Sequence, residues 1–193
     1  MNSTAILITD SVNNRIKILD LTTGMVNLVA GSHIGFKNGP AFSAQFNTPN
    51  GIALDSSNGN IYVADSGNNV IRLINTGTGM VSTIAGVYGA GGYLDGPSSS
   101  AEFSYPYGIA LDSSNGNIYV ADSSNNVIRL INATTGMVST FAGNGTLGYS
   151  NGPALQAEFN NPYFVTIDPS NGNIIVSDTY NNRIALSKTI LSF

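Results

Sequence analysis

The chain has 193 residues, of which 42% are apolar and only 9% are charged, so it contains enough apolar material for a sizeable core and does not resemble a disordered segment. Seven Lys and Arg stand against eleven Asp and Glu, and the net charge of -4 has the wrong sign for holding a phosphate backbone. Nucleic acid is therefore disfavoured as a partner. The absence of cysteine excludes disulfides, thiolate metal sites and a cysteine nucleophile.

The sequence gives no clear indication of a compartment. It has no apolar run as long as a membrane span, and MNSTAILITD lacks the basic region of a signal peptide, so we expect no membrane partner. Three Asn-x-Ser/Thr sequons weakly indicate a secreted or cell-surface parent protein, although they arise easily by chance in a sequence so rich in Asn, Ser and Thr. They begin at Asn2, Asn132 and Asn144.

A thirteen-residue segment occurs twice. LDSSNGNIYVADS occupies residues 54–66 and again residues 111–123, which lie 57 positions later. A diverged copy, IDPSNGNIIVSDT, stands at 167–179, and AILITDS at 5–11 matches the second half of the same segment. Self-similarity at a fixed period indicates a repeated structural unit.

The N-terminal piece, residues 5–31, matches the last three strands of the unit, and residues 51–86 show all four. GIALD and NIYVAD are short apolar runs separated by SSNG, in which Asn-Gly favours the positive φ angles of a tight hairpin. VIRLIN and MVSTIAG follow as the third and fourth strands. A four-stranded meander repeated at this period predicts a β-propeller blade, because solenoids usually have a shorter period.

The segments between blades, at 32–50, 87–107 and 144–163, are also repeated. They share an aromatic residue, a Gly-Pro, an Ala, a Phe and a Pro. Gly-Pro suggests one helical turn, which the later Pro would end. We expect the shared Phe to plug the space between neighbouring blades, at Phe46, Phe103 and Phe159.

The complete blades are predicted at 51–86 and 108–143, and a partial blade at 164–193. The two partial and two complete blades supply fourteen strands in all, and a propeller ring usually needs about four to eight full blades. We therefore expect residues 1–193 to form a single all-β segment with the shape of an arc. Either it belongs to a longer protein, which the overlap of the terminal pieces in strands two and three favours, or copies complete the ring by association.

These residues resemble the NHL-repeat family of β-propellers. The succession AxF..P.GIA.D...G.IYVAD..NN.IR.I...G.VSTIAG covers nearly the whole chain, with each element in order. The resemblance implies a scaffold for protein contacts, with RNA-binding and zinc-lyase members as special cases. The family commonly has Asn-His before the third strand, whereas this chain has Asn-Asn each time, so no role of that histidine carries over. The Asn pairs stand at 13–14, 68–69, 125–126 and 181–182.

An aspartate recurs at the end of the second strand of each blade, at Asp10, Asp65, Asp122 and Asp178. A residue present in each blade is expected to hold the architecture rather than to act once at a site. We predict that these carboxylates accept N–H groups of the following turn and pair with basic residues of the third strand. The basic residues are Lys17, Arg72 and Arg129, with Arg15 and Arg183 two positions earlier. A calcium or catalytic role is the less favoured alternative.

The sequence offers no set of catalytic residues. His33 is the only histidine, whereas a zinc lyase needs several imidazoles around an open metal position. No G-x-S-x-G is present, and the glycine-rich stretch at 86–97 does not fit a nucleotide-binding loop. We expect a noncatalytic protein without cofactor or metal. The alternative is part of a propeller enzyme of lyase or hydrolase type whose active-site residues lie outside this chain.

Tyrosines provide the candidate binding residues, because they offer a large contact area at low entropic cost. Tyr88 and Tyr180 occupy positions that are not aromatic in the other blades, and Tyr107 and Tyr163 lie on the same predicted face. For Tyr107 and Tyr163, packing beside the preceding Pro is the favoured alternative. Phe164 replaces the glycine of the other blades. We predict contacts of this face with a protein or a glycan, and self-association through the ends of the arc.

Overall fold

The computed structural model describes residues 5–187, which form four antiparallel sheets arranged as the blades of a β-propeller that does not close into a ring. The prediction of an all-β propeller arc is confirmed. Blade 1 contains β1 (Ala5–Asp10), β2 (Arg15–Asp20) and β3 (Val26–Ala30), and blade 4 contains β14 (Pro162–Ile167), β15 (Ile174–Asp178) and β16 (Arg183–Ser187). The sequon at Asn2 and residues 188–193 of the predicted partial blade lie outside the described residues.

The two central blades have four long strands and a short fifth strand at the outer edge. Blade 2 contains β4 (Gly39–Pro40), β5 (Pro49–Leu54), β6 (Ile61–Asp65), β7 (Val70–Asn75) and β8 (Met80–Ala85). Blade 3 contains β9 (Gly96–Pro97), β10 (Pro106–Leu111), β11 (Ile118–Asp122), β12 (Val127–Ile131) and β13 (Met137–Ala142). Gly-Pro of the first two connections supplies the fifth strand and pairs with the fourth strand of the blade that follows it.

The repeated letters DSSNGN form the same turn each time. Asp55 accepts hydrogen bonds from the backbone and hydroxyl of Ser57 and from the side chain of Asn58, and Gly59 takes a φ of +76°. These bonds, the one from the Ser57 hydroxyl foremost, lower the pKa of Asp55. The turn therefore requires glycine only at its fifth position, where the backbone enters the left-handed region. Asp112 and Asp168 accept the equivalent bonds in blades 3 and 4.

Each boundary between blades holds its own apolar core, and the shared Phe lies in it. Phe46 is fully buried and belongs to a cluster that joins Ile16 of blade 1 to Ile61 and Val63 of blade 2. Phe103 and Phe159 take the same place at the next two boundaries. The prediction that these residues are plugs between blades is confirmed.

The connections differ in detail from the prediction. A single 3-10 turn follows the Gly-Pro at Ala41–Ser43 and at Ala154–Gln156, and residues 98–100 form a turn in the second connection. The later proline does not end this turn. Pro49, Pro106 and Pro162 instead begin the first strand of their blades, two residues before the predicted start.

The first strands of neighbouring blades run side by side, with β10 packed against β5 and β14. This approach explains two glycines. A Cβ at Gly51 would lie 2.9 Å from the backbone N of Ile109, and one at Gly108 would lie 2.7 Å from Cα of Phe164. Real Cβ atoms do not come that close to a backbone, so only glycine lets the two inner strands touch.

Candidate binding site

The repeated aspartate forms a buried network in the two central blades. Asp65 accepts hydrogen bonds from the backbone N of Asn47 at 2.7 Å, from Nδ2 of Asn68 at 2.9 Å and from Nη1 of Arg72 at 2.6 Å. Both ions of the pair are fully buried. Asp122 makes the same three bonds in blade 3, with Ser104, Asn125 and Arg129. The predicted pairing of acid and base is confirmed.

Arginine ties the connection between blades to the blade itself. Arg72 donates from Nη1 to the carbonyl of Gln45 and from Nη2 to the carbonyl of Lys37, and its guanidinium lies 5.0 and 4.9 Å from the ring centroids of Phe36 and Phe46. Hydrogen bonds and cation–π contacts thus surround the buried charge. The prediction that these carboxylates accept backbone N–H groups of the following turn is wrong for Asp65, because the backbone N–H that it accepts is that of Asn47 in the preceding connection.

Burial sets the protonation behaviour of these groups. Desolvation raises the pKa of Asp65 and raises that of Asp122 to about 6, against the lowering by their hydrogen bonds and arginines. Desolvation also lowers the pKa of Arg72. The same arrangement repeats in both central blades and has no open ligand position, so we assign it a structural role.

The Asn pair links a central blade to the connections before and after it. The first Asn donates to the aspartate and to a carbonyl of the preceding connection, as Asn68 does to Asp65 and Gly35. The second Asn, which stands in place of the family's histidine, takes a left-handed backbone, with φ of 58° at Asn69. Its Oδ1 accepts the backbone N–H of Tyr105 in the following connection. Asparagine tolerates this conformation better than most residues and supplies the acceptor.

Aromatic side chains meet at the start of the inner strands of blades 3 and 4. The rings of Tyr107 and Tyr163 are stacked at 4.5 Å, and Phe164 contacts Tyr107 edge-on at 5.4 Å. Tyr180 lies 5.8 Å from the Tyr163 ring, and the two hydroxyls are 3.1 Å apart. We call Tyr107, Tyr163, Phe164 and Tyr180 the aromatic cluster. Phe164 and Tyr180 are exposed, whereas Tyr107 and Tyr163 are half-buried.

The aromatic cluster contains no Asp, Glu, Lys or Arg side chain. The hydrogen bond with Tyr180, together with burial, raises the pKa of Tyr163 to about 12. The two hydroxyls bond each other, and the rings of Phe164 and Tyr180 are exposed to solvent. In blade 2 the place of Tyr107 and Tyr163 is taken by Asn50, so the cluster is confined to one side of the arc.

The fourth predicted binding residue, Tyr88, has a different environment. Its ring stacks on Phe36 at 4.1 Å with an angle of 5° between the ring planes, and Phe36 in turn lies over Arg72. The structure thus brings three of the four predicted residues together and leaves Tyr88 on another stack. Phe164, absent from the predicted set, joins the cluster. The signal for it was the replacement of a glycine that blades 2 and 3 retain.

A groove of about 390 Å³ lies between the connection at 144–163 and blade 4, lined by Glu158, Phe159, Arg183, Ala185 and neighbouring residues. Ala185 occupies the position that Arg72 holds in blade 2, and Arg183 reaches Asp178 at 3.1 Å from two residues earlier. Within residues 5–187, no three His, Cys, Asp or Glu side chains are grouped to hold a metal ion. The same residues include no helix with the length and hydropathy needed to cross a bilayer.

Three segments of the chain match the NHL repeat family, at residues 46–72, 103–129 and 159–185. Each begins at the plug Phe and ends in the third strand of a blade. The chain belongs to the NHL-repeat β-propellers. Each match contains the buried aspartate and the Asn pair of its blade, and blade 1 lies outside the three matches.

Two curated relatives are similar to this chain in sequence. Protein SUPPRESSOR OF QUENCHING 1, chloroplastic, from Arabidopsis thaliana is 35% identical over 138 residues, which is 67% of this chain and 13% of the relative. NHL repeat-containing protein 2 from Homo sapiens is 27% identical over 142 residues, which is 69% of this chain and 20% of the relative. The NHL-repeat chain thus spans about a fifth or less of the length of these relatives.

Among solved structures, a protein of unknown function from Bacteroides thetaiotaomicron has the same fold. The TM-score is 0.77 at 22% identity, and the similarity covers 95% of this chain and 45% of that protein. At this identity the likeness concerns the fold alone. The arc of four NHL-repeat blades therefore matches slightly less than half of that chain.

Proposed function

We propose that this NHL-repeat protein is a noncatalytic binding scaffold that holds a polypeptide partner at the aromatic cluster. The observation that carries the proposal is the convergence of four aromatic side chains from two blades, two of which are exposed. Tyrosine and phenylalanine at the centre of a surface patch are typical anchors of protein interfaces. Blade 2 has asparagine in the same position, so the cluster is local.

The chemistry of the cluster favours an apolar peptide side chain over a sugar. A sugar requires hydrogen-bonding groups beside the ring on which it stacks. The hydroxyls of Tyr163 and Tyr180 already bond each other, and Phe164 presents only apolar ring surface. A glycan is therefore the second ligand class, and the experiment distinguishes the two.

The experiment is a selection from a displayed peptide library on the 193-residue protein, followed by calorimetric titration of the selected peptides. Tyr180→Ala and Tyr163→Ala should each weaken binding at least about tenfold, the loss expected when an interface anchor is truncated. Tyr88→Ala is the matched control, because this exposed tyrosine stacks on Phe36 instead. It should leave the affinity within about twofold.

Two results would overturn the proposal. One is a peptide affinity that falls with Tyr88→Ala and is unchanged by both cluster variants. The other is binding to a glycan array, lost in Tyr180→Ala, with no peptide selected. Because the pKa of Tyr163 is raised to about 12, ionisation of this residue should not change peptide binding between pH 6 and 9.

A further inference from the structure

Blade 4 has an apolar face that no residue among 5–187 covers. Ile184 and Leu186 alternate along β16 and share this face, and their side chains are 72% and 62% exposed. Ile175 lies directly opposite Leu186 on β15 and extends the same surface. Isolated exposed apolar residues are common, but several on one sheet face mark a contact surface.

The equivalent faces of the central blades are buried. Ile71 of blade 2 takes the position of Ile184 and is fully buried against blade 3. Ile128 does the same in blade 3 against blade 4. The exposed face of blade 4 is therefore the side that, in blades 2 and 3, receives the next blade.

Blade 1 has the opposite half of such an interface. Ile6 and Val26 are 48% and 52% exposed, and they take the positions of Ile61 and Val81 in blade 2. Ile61 and Val81 are almost completely buried, in the core between blades 1 and 2. The open face of blade 1 is thus the side that receives the preceding blade.

We propose that blade 4 of one copy of this chain packs on blade 1 of a second copy, head to tail. The two open faces correspond, position by position, to the two sides of the interfaces within the arc. The open face of blade 4 is then covered by the open face of blade 1 from a second copy.

The side chain of Phe164 favours blade 1 over a complete four-stranded blade as the partner of the open blade 4 face. At Gly51 and Gly108 the inner strand of the following blade lies so close that a Cβ would collide with it. A complete blade packed on blade 4 would bring such a strand against the side chain of Phe164. Among the described residues, blade 1 has no strand on the inner side of β1, so it leaves room for the phenylalanine ring.

The charged residues of the blade 1 face are compatible with this contact. Lys17 holds the position of Arg72 and pairs with Asp10 at 2.6 Å, and its side chain keeps 32% exposure. A lysine with a flexible stem can keep its ammonium group at the edge of the interface, in water. Packing on this face would leave neither member of the pair buried alone.

A head-to-tail interface uses a different surface on each copy, and this gives a sharp test. The measurement is molar mass by light scattering. Ile184→Asp disables the blade 4 face, and Val26→Asp disables the blade 1 face. Each variant alone should have the mass of one chain, 20.1 kDa. An equimolar mixture should form a dimer of twice that mass, because each variant keeps the face that the other lacks.

Phe42→Asp is the matched control, since Phe42 is 70% exposed but lies on the connection between blades 1 and 2. This variant should assemble as the unmodified protein does, which we expect to exceed the mass of one chain. Circular dichroism verifies the fold of each variant. If an aspartate variant does not fold, Ile184→Thr and Val26→Thr replace the pair, because threonine keeps the β-branched shape.

The proposal is overturned if the unmodified protein has the mass of one chain over the whole accessible concentration range. It is equally overturned if Val26→Asp alone still forms dimers, because two copies would then meet through identical faces. None of these variants changes the aromatic cluster. The mass measurement is made without a peptide, so failure of the peptide-binding experiment would leave its result unaffected.

Discussion

The central and terminal blades of this arc use similar sequences in different environments. In blades 2 and 3 the basic residue of the third strand is an arginine that is fully buried beneath a connection. In blades 1 and 4 the pairs are Lys17 with Asp10 and Arg183 with Asp178, and the basic side chains are about one third exposed. The aspartate therefore forms an ion pair within its own blade in all four cases. The burial of its basic partner depends instead on the connection that covers it.

The largest expected effect comes from removing one buried partner. Arg72→Met leaves the Asp65 carboxylate buried without its cation, which should lower the free energy of unfolding by about 3 to 5 kcal/mol. Lys17→Met removes the equivalent partner in blade 1, where water reaches the pair, and should cost less than about 1 kcal/mol. Equilibrium unfolding in urea measures both. Equal losses would contradict the distinction between central and terminal blades.

The second effect concerns the inner strands. Gly108→Ala places a Cβ 2.7 Å from Cα of Phe164, and the strands β10 and β14 must separate. We expect a loss of about 1 to 3 kcal/mol, as for other overpacked sites. Gly77→Ala is the control, because its Cβ would meet nothing nearer than Oδ1 of Asn75 at 3.4 Å. It should change the free energy of unfolding by less than about 0.5 kcal/mol.

If Gly108→Ala were as mild as Gly77→Ala, the inner strands would be free to move apart. The side chain of Phe164 would then no longer exclude a complete blade from the open face of blade 4. This result would weaken the head-to-tail interface independently of any mass measurement.

The fold could be predicted from the sequence because the repeat period, the Asn-Gly hairpin turns and the Phe between blades recur in the same order. The pairing of Asp65 with Arg72 was also predictable, since the two residues stand on neighbouring strands of one blade. Their complete burial was not, because it depends on Gln45 and Lys37, which lie in a connection far away in sequence. Local rules for aspartate in turns therefore gave the wrong backbone partner.

The aromatic cluster shows the same limit. Tyr107 and Tyr163 are 56 positions apart, and only the side-by-side packing of β10 and β14 brings their rings together. Comparison of the repeats led to the prediction of Tyr88 as a binding residue, because the equivalent position is not aromatic in the other blades. It could not show that Phe36 provides a stacking partner for Tyr88 from the preceding connection.

A third prediction uses a natural difference between the two central blades. Arg129 has a second acid, Asp95, which accepts from Nη2 at 2.7 Å and from Nε at 3.2 Å. Arg72 has Asn38 there, and its buried Nε has no partner among the described residues. Asn38→Asp should therefore raise the free energy of unfolding by about 0.5 to 1 kcal/mol.

Asp95→Asn is the reciprocal variant and should lower the free energy of unfolding by a similar amount. The effect is small because the Asp95 side chain is about half exposed, so water and salt screen it. Urea unfolding at low and high salt checks the sign and the screening. A loss of stability in Asn38→Asp would mean that the second carboxylate repels Asp65 more strongly than it binds Arg72.

The pH dependence combines buried and exposed aspartates, which act in opposite directions. The folded protein raises the pKa of Asp122 to about 6 from an ordinary value of 3.8, so the stabilisation by this group is complete below pH 3.8 and is lost as the pH rises through about 6. The pKa values of Asp55, Asp112 and Asp168 are lowered, so their contributions are present above 3.8 and are lost as the pH falls. The free energy of unfolding should therefore be highest near pH 4, where the two ranges meet. Asp112→Asn keeps the acceptor of the turn and should flatten only the acid side of the profile, measured by urea unfolding across pH. A stability that instead rises from pH 4 to 7 would show that Arg129 outweighs the burial of Asp122.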